Sequence, residues 1–508
     1  MPGISHRLIP SPRPSPRQRG EGENALSRPG GRGLGRGWEL RPIALALALV
    51  TGPAAASDDM KSLLAEVKRL ADRVEALEQN NRELEKSLAT ERLSEKEPEL
   101  ATRLKAVEFQ TLSMQKQARQ IEALEGISVG ASLTGVAQRA NRGGVAGGTS
   151  RQSRANYRGD VSVTLPGGSM GDIEGSLFTH VRFGQGDGLG LRPTYTSTAN
   201  TTAFQVSGVS DADSSFAVLA QAWYQLKVPL PRGGVLAQSK EHVHLTFGKI
   251  DPFVFFDQNA AADDESTRFL NNAFVHNPLL DSGGDVGADR YGFAPGAIVQ
   301  YANEHDKSRT WGLSLGAFGS GPGANFSGSL GKPFMIAQAD TTWRINHLPG
   351  NYRAYLWSNG RGMGYDGIER RHSGIGMSID QKVSDWVTAF ARYGHQAAGK
   401  VRFDRALTVG AEIAGNAWGR AADSLGAAFG LLRTSSAYRR DSVALDLDGD
   451  GALDPRASAN ERIAELYYRY RVNERFELTP DFQLIQRPGG DGGTPTIKVV
   501  GLRAKVGF

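Results

Sequence analysis

From Ile127 to the C-terminus the chain repeats one pattern, in which apolar residues alternate with polar or charged residues. A late example sets Leu466, Tyr468, Tyr470 and Val472 against Glu465, Tyr467, Arg469 and Arg471. A period of two is that of a β-strand whose two faces meet different surroundings. The chain beyond residue 126 is therefore predicted to be all-β.

Sixteen segments carry this alternation, and they fit two architectures. One is a soluble antiparallel sheet with its apolar face inside, and the other is a membrane barrel with its apolar face outside. The predicted strands are 127–137, 158–166, 172–183, 216–228, 242–250, 295–302, 309–318, 334–344, 350–358, 373–381, 385–394, 405–413, 423–433, 461–473, 475–487 and 497–508.

Three features favour the membrane barrel. The strand number is even, as in bacterial outer-membrane barrels. The long connections (184–215, 251–294 and 434–460) all follow odd strands, which fits long outer loops and short periplasmic turns. The chain ends in an alternating strand with Phe508 last, which resembles the signal read by the barrel assembly machinery. We predict a 16-stranded antiparallel outer-membrane β-barrel over residues 126–508.

The first 56 residues have the composition of a targeting region. Residues 1–37 are rich in Arg, Pro and Gly and are predicted to be disordered, either as a mis-assigned leader extension or as a functional basic arm. Residues 38–56 hold an eight-residue apolar run after Arg41 and end in Ala54-Ala55-Ala56, the pattern of a secretory signal peptide. The chain has no Cys, which suits an exported bacterial envelope protein and excludes disulfides.

Residues 57–125 are predicted to form an α-helical coiled coil. Val67, Val74 and Leu88 share one seam position with Asn81, while leucines from Leu63 to Leu84 occupy the other at heptad spacing. A helix packed on its own chain is the alternative. A two-residue seam has nothing to bury against except copies of itself, so a homo-oligomer is predicted, with two or three strands both open.

The net positive charge of the chain comes from its first 56 residues, which hold eight Arg and three Glu. The remaining 51 basic and 51 acidic residues cancel. Nucleic-acid binding requires a basic face, and the balance of the mature chain gives no sign of one. No nucleic-acid partner is predicted.

Four separated motifs resemble one known family. They are FGKIDPFVFFDQNAAADDESTRFLNNAF (247–274), NAWGRAADSLGAAFG (416–430), ELYYRYRVNERFELTPDFQLIQRPGG (465–490) and the final VVGLRAKVGF. These motifs look like those of the carbohydrate-selective porin (OprB) family over roughly residues 127–508. The resemblance implies a 16-stranded channel for sugars in a Gram-negative outer membrane. The N-terminal coiled coil is an addition, which leaves the solute open.

The longest connection, 251–294, combines six Phe with charged residues. An exposed loop would not hold so many aromatic side chains, so we predict that it folds into the lumen and narrows the pore, as plugging segments do in other barrels. A loop packed across the mouth or at a subunit contact is the alternative. The constriction candidates are Asp257, Asp263, Asp264, Glu265 and Arg268.

Polar residues on the alternating face are predicted to line the pore. Charged groups suit sugar hydroxyls, and aromatic rings suit the apolar faces of sugar rings. The alternative for any one of them is a structural ladder of salt bridges between strands. The candidates are Glu174, His180, Arg182, Trp223, Arg344, Arg353, Tyr355, Trp357, Arg392, Glu465, Arg469 and Arg503.

The sequence DLDGDGALD (446–454) offers the only metal candidate. Asp446, Asp448 and Asp450 alternate before Gly451, as in the first half of a calcium loop, but position twelve is Ala457 where Glu is expected. Calcium binding and a solvated acidic turn are the two interpretations. No other cofactor is predicted.

No catalytic motif is visible, so no enzyme is predicted. The predicted function is passive diffusion of small hydrophilic solutes, most readily carbohydrates, through an outer-membrane porin. A general or anion-preferring porin and an envelope-tethering protein that uses the coiled coil are the alternatives. Strand 1 must start on the side where strand 16 ends, which places the coiled coil in the periplasm. The predicted partners are outer-membrane lipid, the barrel assembly machinery and other copies of the chain. A trimer is the predicted assembly, because porins of this size are often trimeric.

Overall fold

The computed structural model describes residues 79, 126–143, 151–189, 191, 198–203, 215–233, 239–281, 292–321, 328–446, 453 and 456–508. The predicted leader extension and signal peptide lie outside these residues, and so does the predicted coiled coil apart from one residue.

Sixteen antiparallel strands form one closed barrel in which each strand pairs with its neighbours in sequence and β1 pairs with β16. The predicted 16-stranded antiparallel barrel is confirmed. The strands are β1 (Ser128–Ala140), β2 (Gln152–Met170), β3 (Ile173–Gln185), β4 (Phe216–Leu230), β5 (Glu241–Ile250), β6 (Ala294–Asn303), β7 (Trp311–Phe318), β8 (Phe334–Ile345), β9 (Leu348–Met363), β10 (Glu369–Lys382), β11 (Val387–Ala398), β12 (Phe403–Ala414), β13 (Ser424–Thr434), β14 (Glu461–Arg471), β15 (Phe476–Gln486) and β16 (Ile497–Gly507).

The alternation in the sequence decides which face of each strand points outward. On β16, Val500 and Leu502 are 53% and 50% exposed, whereas Val499 and Arg503 on either side of them are buried. On β7, Leu313 and Leu315 are exposed while Ser314 is buried. The apolar face is therefore the outer face, as lipid requires, and the soluble-sheet alternative is wrong. Closure leaves no strand with an unpaired edge.

The second strand is longer than predicted. The alternation is clear only from residue 158 to residue 166, but β2 starts at Gln152, which pairs with Ala140 at the end of β1. Residues 152–156 carry no apolar outer face, so periodicity did not reveal this end of the strand. Backbone pairing with β1 extends the strand without a lipid-facing pattern.

The connections divide the barrel into two rims. The long-loop rim carries the connections after odd strands, including residues 251–293 and 435–460, and the short-turn rim carries those after even strands and both ends of the barrel. The length asymmetry is incomplete, because 364–368 and 399–402 on the long-loop rim are as short as a turn. No helix in the described part of the chain is long and apolar enough to cross a membrane.

Among the described residues of the long connections lie three short helices, α1 (Asn272–Val275), α2 (Pro278–Asp281) and α3 (Ser436–Asp441). Single 3-10 turns occur at Pro252–Val254, Ser329–Gly331, Gly415–Trp418, Ser442–Ala444 and Pro488–Gly490.

On the short-turn rim, Arg232 of the β4–β5 connection pairs with Asp172 of the β2–β3 turn at 2.7 Å. This guanidinium, together with the Gly233 amide, holds the pKa of the Asp172 carboxyl well below its usual value.

Glycine opposite an aromatic ring explains part of the high glycine content. Gly426 pairs directly with Tyr467 across β13 and β14, and a Cβ at Gly426 would lie 2.1 Å from the Tyr467 ring. Gly376 stands in the same relation to Tyr355, at 2.3 Å. Each ring lies flat over the neighbouring strand because no side chain stands in its place. Both tyrosines then point their hydroxyls at the groups described next.

Candidate functional site

The connection between β5 and β6 enters the barrel, and its residues 251–281 are named here the inner segment. It begins with Asp251, whose side chain accepts a hydrogen bond from the Phe253 amide and caps the first 3-10 turn. Its rings are buried: Phe256, Phe269 and Phe274 are at most 1% exposed. Phe256 packs edge-on against Phe318 of β7, so the apolar side of the segment lies on the inner wall.

The first anchor of the inner segment is Asp257, which has a left-handed φ of 56° and is fully buried. Its carboxylate accepts hydrogen bonds from the Tyr355 hydroxyl at 2.8 Å and from the Asn277 amide at 2.6 Å. Arg392 of β11 forms an ion pair with the same carboxylate at 3.2 Å. The Arg392 guanidinium also donates to the carbonyl oxygens of Phe274 (2.7 Å) and Asp257 (3.1 Å). One arginine thus holds both ends of the segment's middle turn.

The second anchor is Glu465 of β14. Its two carboxylate oxygens accept hydrogen bonds from the backbone amides of Leu270 (2.5 Å) and Asn271 (2.9 Å). Asn271 in turn donates to the Gln483 side chain of β15 at 3.1 Å. The carboxylate therefore acts as a cap for the backbone that leads into α1.

The third anchor lies on β16 and β2. Arg503 donates from one guanidinium nitrogen to the carbonyl oxygens of Glu265 (2.9 Å) and Arg268 (2.6 Å). Lys505 donates to the Ser266 hydroxyl at 2.7 Å. The Glu265 carboxylate is paired with Arg158 of β2 at 2.6 Å. This end of the segment is fixed across the closure point of the barrel.

Two further contacts complete the attachment. Asn259 donates to the Ser378 hydroxyl of β10 at 3.2 Å, and Arg268 pairs with Glu412 of β12 at 3.2 Å. The Tyr467 hydroxyl donates to the same Glu412 carboxylate at 2.6 Å. With these, the inner segment contacts inward-facing side chains from β7 to β12, from β14 to β16 and on β2. It lies inside the barrel and occupies part of its cross-section.

The predicted constriction residues all lie in this segment, and most of them serve its attachment. Asp257 and Glu265 are anchors, and Arg268 pairs with Asp263 at 3.3 Å as well as with Glu412. Asp264 accepts hydrogen bonds from the Ser266 amide and hydroxyl and from the Thr267 hydroxyl, so it closes a local turn. Of the five, Arg268 and Asp263 keep 23% and 33% of their side-chain surface exposed.

Five of the predicted pore-lining residues point inward but are covered. Their burial assigns them to holding the inner segment and the inner wall instead of to an open pore surface. They are Tyr355, Trp357, Arg392, Glu465 and Arg503, each at most 4% exposed. The physical reason is that the inner segment covers the wall on which they stand.

Two other predicted residues belong to a charged cluster on β2 and β3. Asp160 accepts from Arg158 (2.9 Å), Arg182 (2.7 Å) and the His180 ring (2.8 Å). One carboxylate thus serves two guanidinium groups and an imidazole. Arg182 stays 17% exposed at its side chain and lies 5.4 Å from the Phe293 ring. The cluster places fixed charge of both signs on the inner wall.

Trp223 stands beside this cluster on β4. Its ring stacks on Phe178 of β3 with centroids 4.8 Å apart, and its indole nitrogen donates to Gln221 at 3.2 Å. Phe255 of the inner segment meets it edge-on at 5.7 Å. An apolar platform with polar neighbours results.

On β3, β4 and β5 several inward-facing side chains stay partly accessible. Phe178, Arg182, Trp223, Lys227 and His244 all face inward and are only half-buried. By contrast, the inward-facing residues that the inner segment covers, such as Tyr355, Arg392 and Glu465, are buried. We name this surface, together with Asp160, the open wall.

The remaining predicted residues lie away from the open wall or near the short-turn rim. Arg353 of β9 pairs with Asp380 of β10 at 2.9 Å and is 13% exposed. Glu174 and Arg344 are exposed near the short-turn rim, opposite Lys227 and Pro349. Arg469 is half-buried on β14, opposite Ser424.

Sequence reasoning missed Arg158, Asp160 and Phe178, although a signal was present. Arg158, Asp160, Ser162 and Thr164 alternate with apolar residues within the predicted second strand. Glu412 and Asp380 were missed in the same way, on β12 and β10. The alternation assigned all of them to the inner face without indicating which would meet a partner.

The acidic sequence 446–454 lies largely outside the described residues, including Asp448 and Asp450. Asp446 is described and exposed. Ala457, at the twelfth position, is 1% exposed and forms an isolated bridge with Asp491. Among the residues that the structure describes, no group of three or more His, Asp or Glu is placed to hold a metal ion. Calcium binding at this sequence remains a prediction.

The comparisons with known proteins agree with this architecture. The profile of the carbohydrate-selective porin, OprB family, matches residues 99–508. The high-pH structure of Pseudomonas putida OprB is 17% identical, with 77% of this chain and 96% of that chain covered and a TM-score of 0.60. The low-pH structure of the same protein is 14% identical (78% and 96% covered, TM-score 0.42). The outer-membrane channel DcaP of Acinetobacter baumannii is 13% identical (75% and 97% covered, TM-score 0.45). No curated protein matches the chain.

Proposed function

The chain belongs to the carbohydrate-selective porin, OprB family, and we propose that its own solutes are small neutral sugars that diffuse along the open wall. The fold and the family are those of an outer-membrane channel and not of an enzyme class. The observation that carries the choice of solute is the stacked pair Trp223 and Phe178 beside the Asp160 cluster.

This arrangement suits the chemistry of a sugar. A pyranose has apolar faces that pack on aromatic rings and hydroxyls that both donate and accept hydrogen bonds. Arg182 donates, Asp160 accepts, and Trp223 supplies the ring. Binding to such a surface must stay weak enough to release the solute for conduction to proceed.

The barrel lies in the outer membrane of a Gram-negative cell, and we propose its orientation from the two rims. Outer-membrane barrels carry short turns on the periplasmic side and long loops outside. The long-loop rim is therefore the outer one, and the inner segment enters the lumen from outside. In this orientation Phe508 ends β16 on the periplasmic side, 71% exposed, where we propose that the assembly machinery reads it.

Liposome swelling tests the choice of solute. Trp223→Ala is expected to weaken the uptake preference for sugars over amino acids of similar size, because the platform is lost while the pore stays open. The matched control is Trp343→Ala, which removes a Trp from the lipid-facing side, where it is 44% exposed. Unchanged sugar preference in Trp223→Ala, with both variants correctly folded, would contradict the proposal.

An anion-preferring porin is the second candidate. The inner face of β2 to β4 carries three cations, Arg158, Arg182 and Lys227, against two acids, Asp160 and Glu174. Reversal potentials in salt gradients separate the two candidates, since a sugar channel needs no strong preference between ions of opposite sign.

The predicted coiled coil gives a test of assembly that does not depend on the lumen. Leu70→Glu combined with Leu77→Glu removes from the seam two leucines per chain that the coiled-coil prediction buries, at roughly 2–5 kcal/mol for each truncation in a core. We expect cross-linking to show a weakened oligomer while the conductance of each barrel stays near normal. The matched control exchanges Glu75 and Glu78, which lie off the seam, for glutamine.

An unchanged oligomer would mean that the barrel walls hold the assembly. Loss of conductance in each barrel would make the helix part of the channel. A defect in envelope integrity with normal solute uptake would favour the envelope-tethering alternative.

A further inference from the structure

A row of cations faces outward at the long-loop rim of the barrel, where the lipid-facing strands end. It consists of Arg405 (β12), Arg433 (β13), Arg462 (β14), Lys498 (β16) and Arg139 (β1), and is named here the outer basic band. Each member shares its strand face with exposed apolar residues. Arg405 precedes Leu407 and Val409, which are 43% and 38% exposed, and Lys498 precedes Val500, which is 53% exposed. The cations therefore stand just above the lipid-facing surface.

The strand register brings these charges together. Arg405 and Arg433 lie directly opposite each other on β12 and β13. Arg462 pairs with Leu431, which places it diagonally from Arg433 on the next strand. Side chains directly opposite on antiparallel strands have Cβ atoms about 5 Å apart, and like charges there destabilise the pair.

The described chain supplies little negative charge to offset this repulsion. Asp404 reaches Arg433 at 3.7 Å, near the limit of an ion pair, and the Arg433 side chain is still 39% exposed. Arg405, Arg462, Lys498 and Arg139 have no carboxylate partner within the described residues. A surface that holds like charges this close favours an anion bound between them.

The opposite rim differs in how its outward arginines are satisfied. Arg309 lies 4.3 Å from the Trp343 ring, Arg420 lies 4.4 Å from the Tyr470 ring, and Arg475 lies 5.9 Å from the Phe508 ring. Arg420 also pairs with Asp423 at 2.6 Å. Each of these arginines packs against one aromatic ring, whereas the outer basic band places two arginines directly opposite each other.

We propose that the outer basic band binds the phosphate groups of a phosphorylated glycolipid of the outer leaflet, of the lipid A type. The band stands at headgroup level directly above apolar wall, so an occupant must carry both acyl chains and closely spaced anionic groups. Guanidinium groups bind phosphate through paired hydrogen bonds. The proposal rests on the outward placement of the long-loop rim given above.

A binding experiment on the whole chain in detergent tests this. The probe is diphosphorylated lipid A, with its dephosphorylated form as the reference. Arg405→Gln combined with Arg433→Gln is expected to weaken binding of the phosphorylated form at least about tenfold, since each lost contact is a charge-assisted hydrogen bond. Arg309→Gln with Arg475→Gln, the same change on the opposite rim, is expected to leave binding within about twofold of the parent chain.

Arg405→Glu is a second variant, chosen because it should not prevent folding. It places a carboxylate opposite Arg433, so the folded barrel should still form, as shown by a gel mobility that changes on heating. Binding of the phosphorylated lipid A should be lost. Unchanged binding in both band variants would overturn the proposal. Equal affinity of the parent chain for phosphatidylglycerol vesicles would also overturn it, because the site would then accept any anionic lipid.

The orientation and the sugar path are checked separately. The chain has no Cys, so Gly493→Cys in the β15–β16 connection gives a single labelling site on the long-loop rim. A membrane-impermeant maleimide should label it on intact cells, and absence of labelling would place the band in the periplasm and overturn this occupant. Sugar uptake should be normal in the band variants, so loss of lipid binding and loss of sugar preference are distinguishable failures.

Discussion

Replacing Arg392 by alanine is expected to raise the single-channel conductance and to lower the stability of the barrel. The guanidinium is 1% exposed and connects the Asp257 carboxylate with two carbonyl oxygens of the inner segment. Without it, Asp257 keeps only neutral hydrogen-bond donors in a buried place. Removing one partner of a buried ion pair costs about 3–5 kcal/mol. The segment then leaves the wall more readily, and the lumen widens.

The measurements are conductance in planar bilayers and thermal unfolding in detergent. Arg405→Ala is the matched control, because it removes an exposed arginine from the outer face of the adjacent strand. Asp257→Asn should also destabilise the barrel, because it leaves the buried Arg392 charge without its carboxylate, although the guanidinium keeps its two carbonyl oxygens. The double change Asp257→Ala with Arg392→Ala should destabilise less than Arg392→Ala alone, because no charge is left unpaired.

Two results would contradict this account of the inner segment. Lower stability with unchanged conductance would mean that the Glu465 and Arg503 anchors hold the segment without help from β11. Unchanged stability would mean that the Arg392 contacts contribute nothing to the fold.

The strands were predictable because the alternation within each strand reflects the two environments of its faces, lipid outside and the lumen inside. Arg392 is assigned to the inner face by its own neighbours, Ala391 and Tyr393, within one strand. What Arg392 does depends on Asp257, which lies 135 residues earlier and reaches it only because the inner segment crosses the lumen. The alternation of polar and apolar residues within a strand carries no information on how the inner segment crosses the lumen. The Phe-rich composition predicted that the segment turns inward, but not which strands would receive it.

The outer basic band shows the opposite limitation. Arg405, Arg433 and Arg462 fall on the apolar face of the alternation and read there as exceptions at strand ends. Only the register between β12 and β13, which runs unbroken from Arg405 to Ala414, places Arg405 opposite Arg433. A register is set by pairing between strands, so no single strand predicts a charge cluster that spans several of them.

Asp160→Ala is expected to shift the ion preference of the pore toward anions. The carboxylate is the shared partner of Arg158, Arg182 and His180 on the open wall. Its loss leaves Arg182 without its carboxylate partner beside the solute path, whereas Arg158 keeps its ion pair with Glu265. Unit charges about 5 Å apart interact by about 3 kcal/mol at an effective dielectric constant of 20, and salt reduces this. We expect a change of about tenfold in the ratio of anion to cation permeability, which corresponds to about 1.4 kcal/mol.

Reversal potentials in a potassium chloride gradient measure this ratio, and sugar block of the current measures the solute site in the same experiment. Asp172→Ala is the matched control, because it removes a paired carboxylate from the short-turn rim, outside the lumen. If the solute path follows the open wall, Asp160→Ala changes both readouts and Asp172→Ala changes neither. A variant that folds normally yet keeps the parent's reversal potential and sugar block would place the path elsewhere in the lumen. A strong anion preference in the parent chain itself would favour the anion-preferring porin, since Asp160 would then fail to balance the two arginines that it binds.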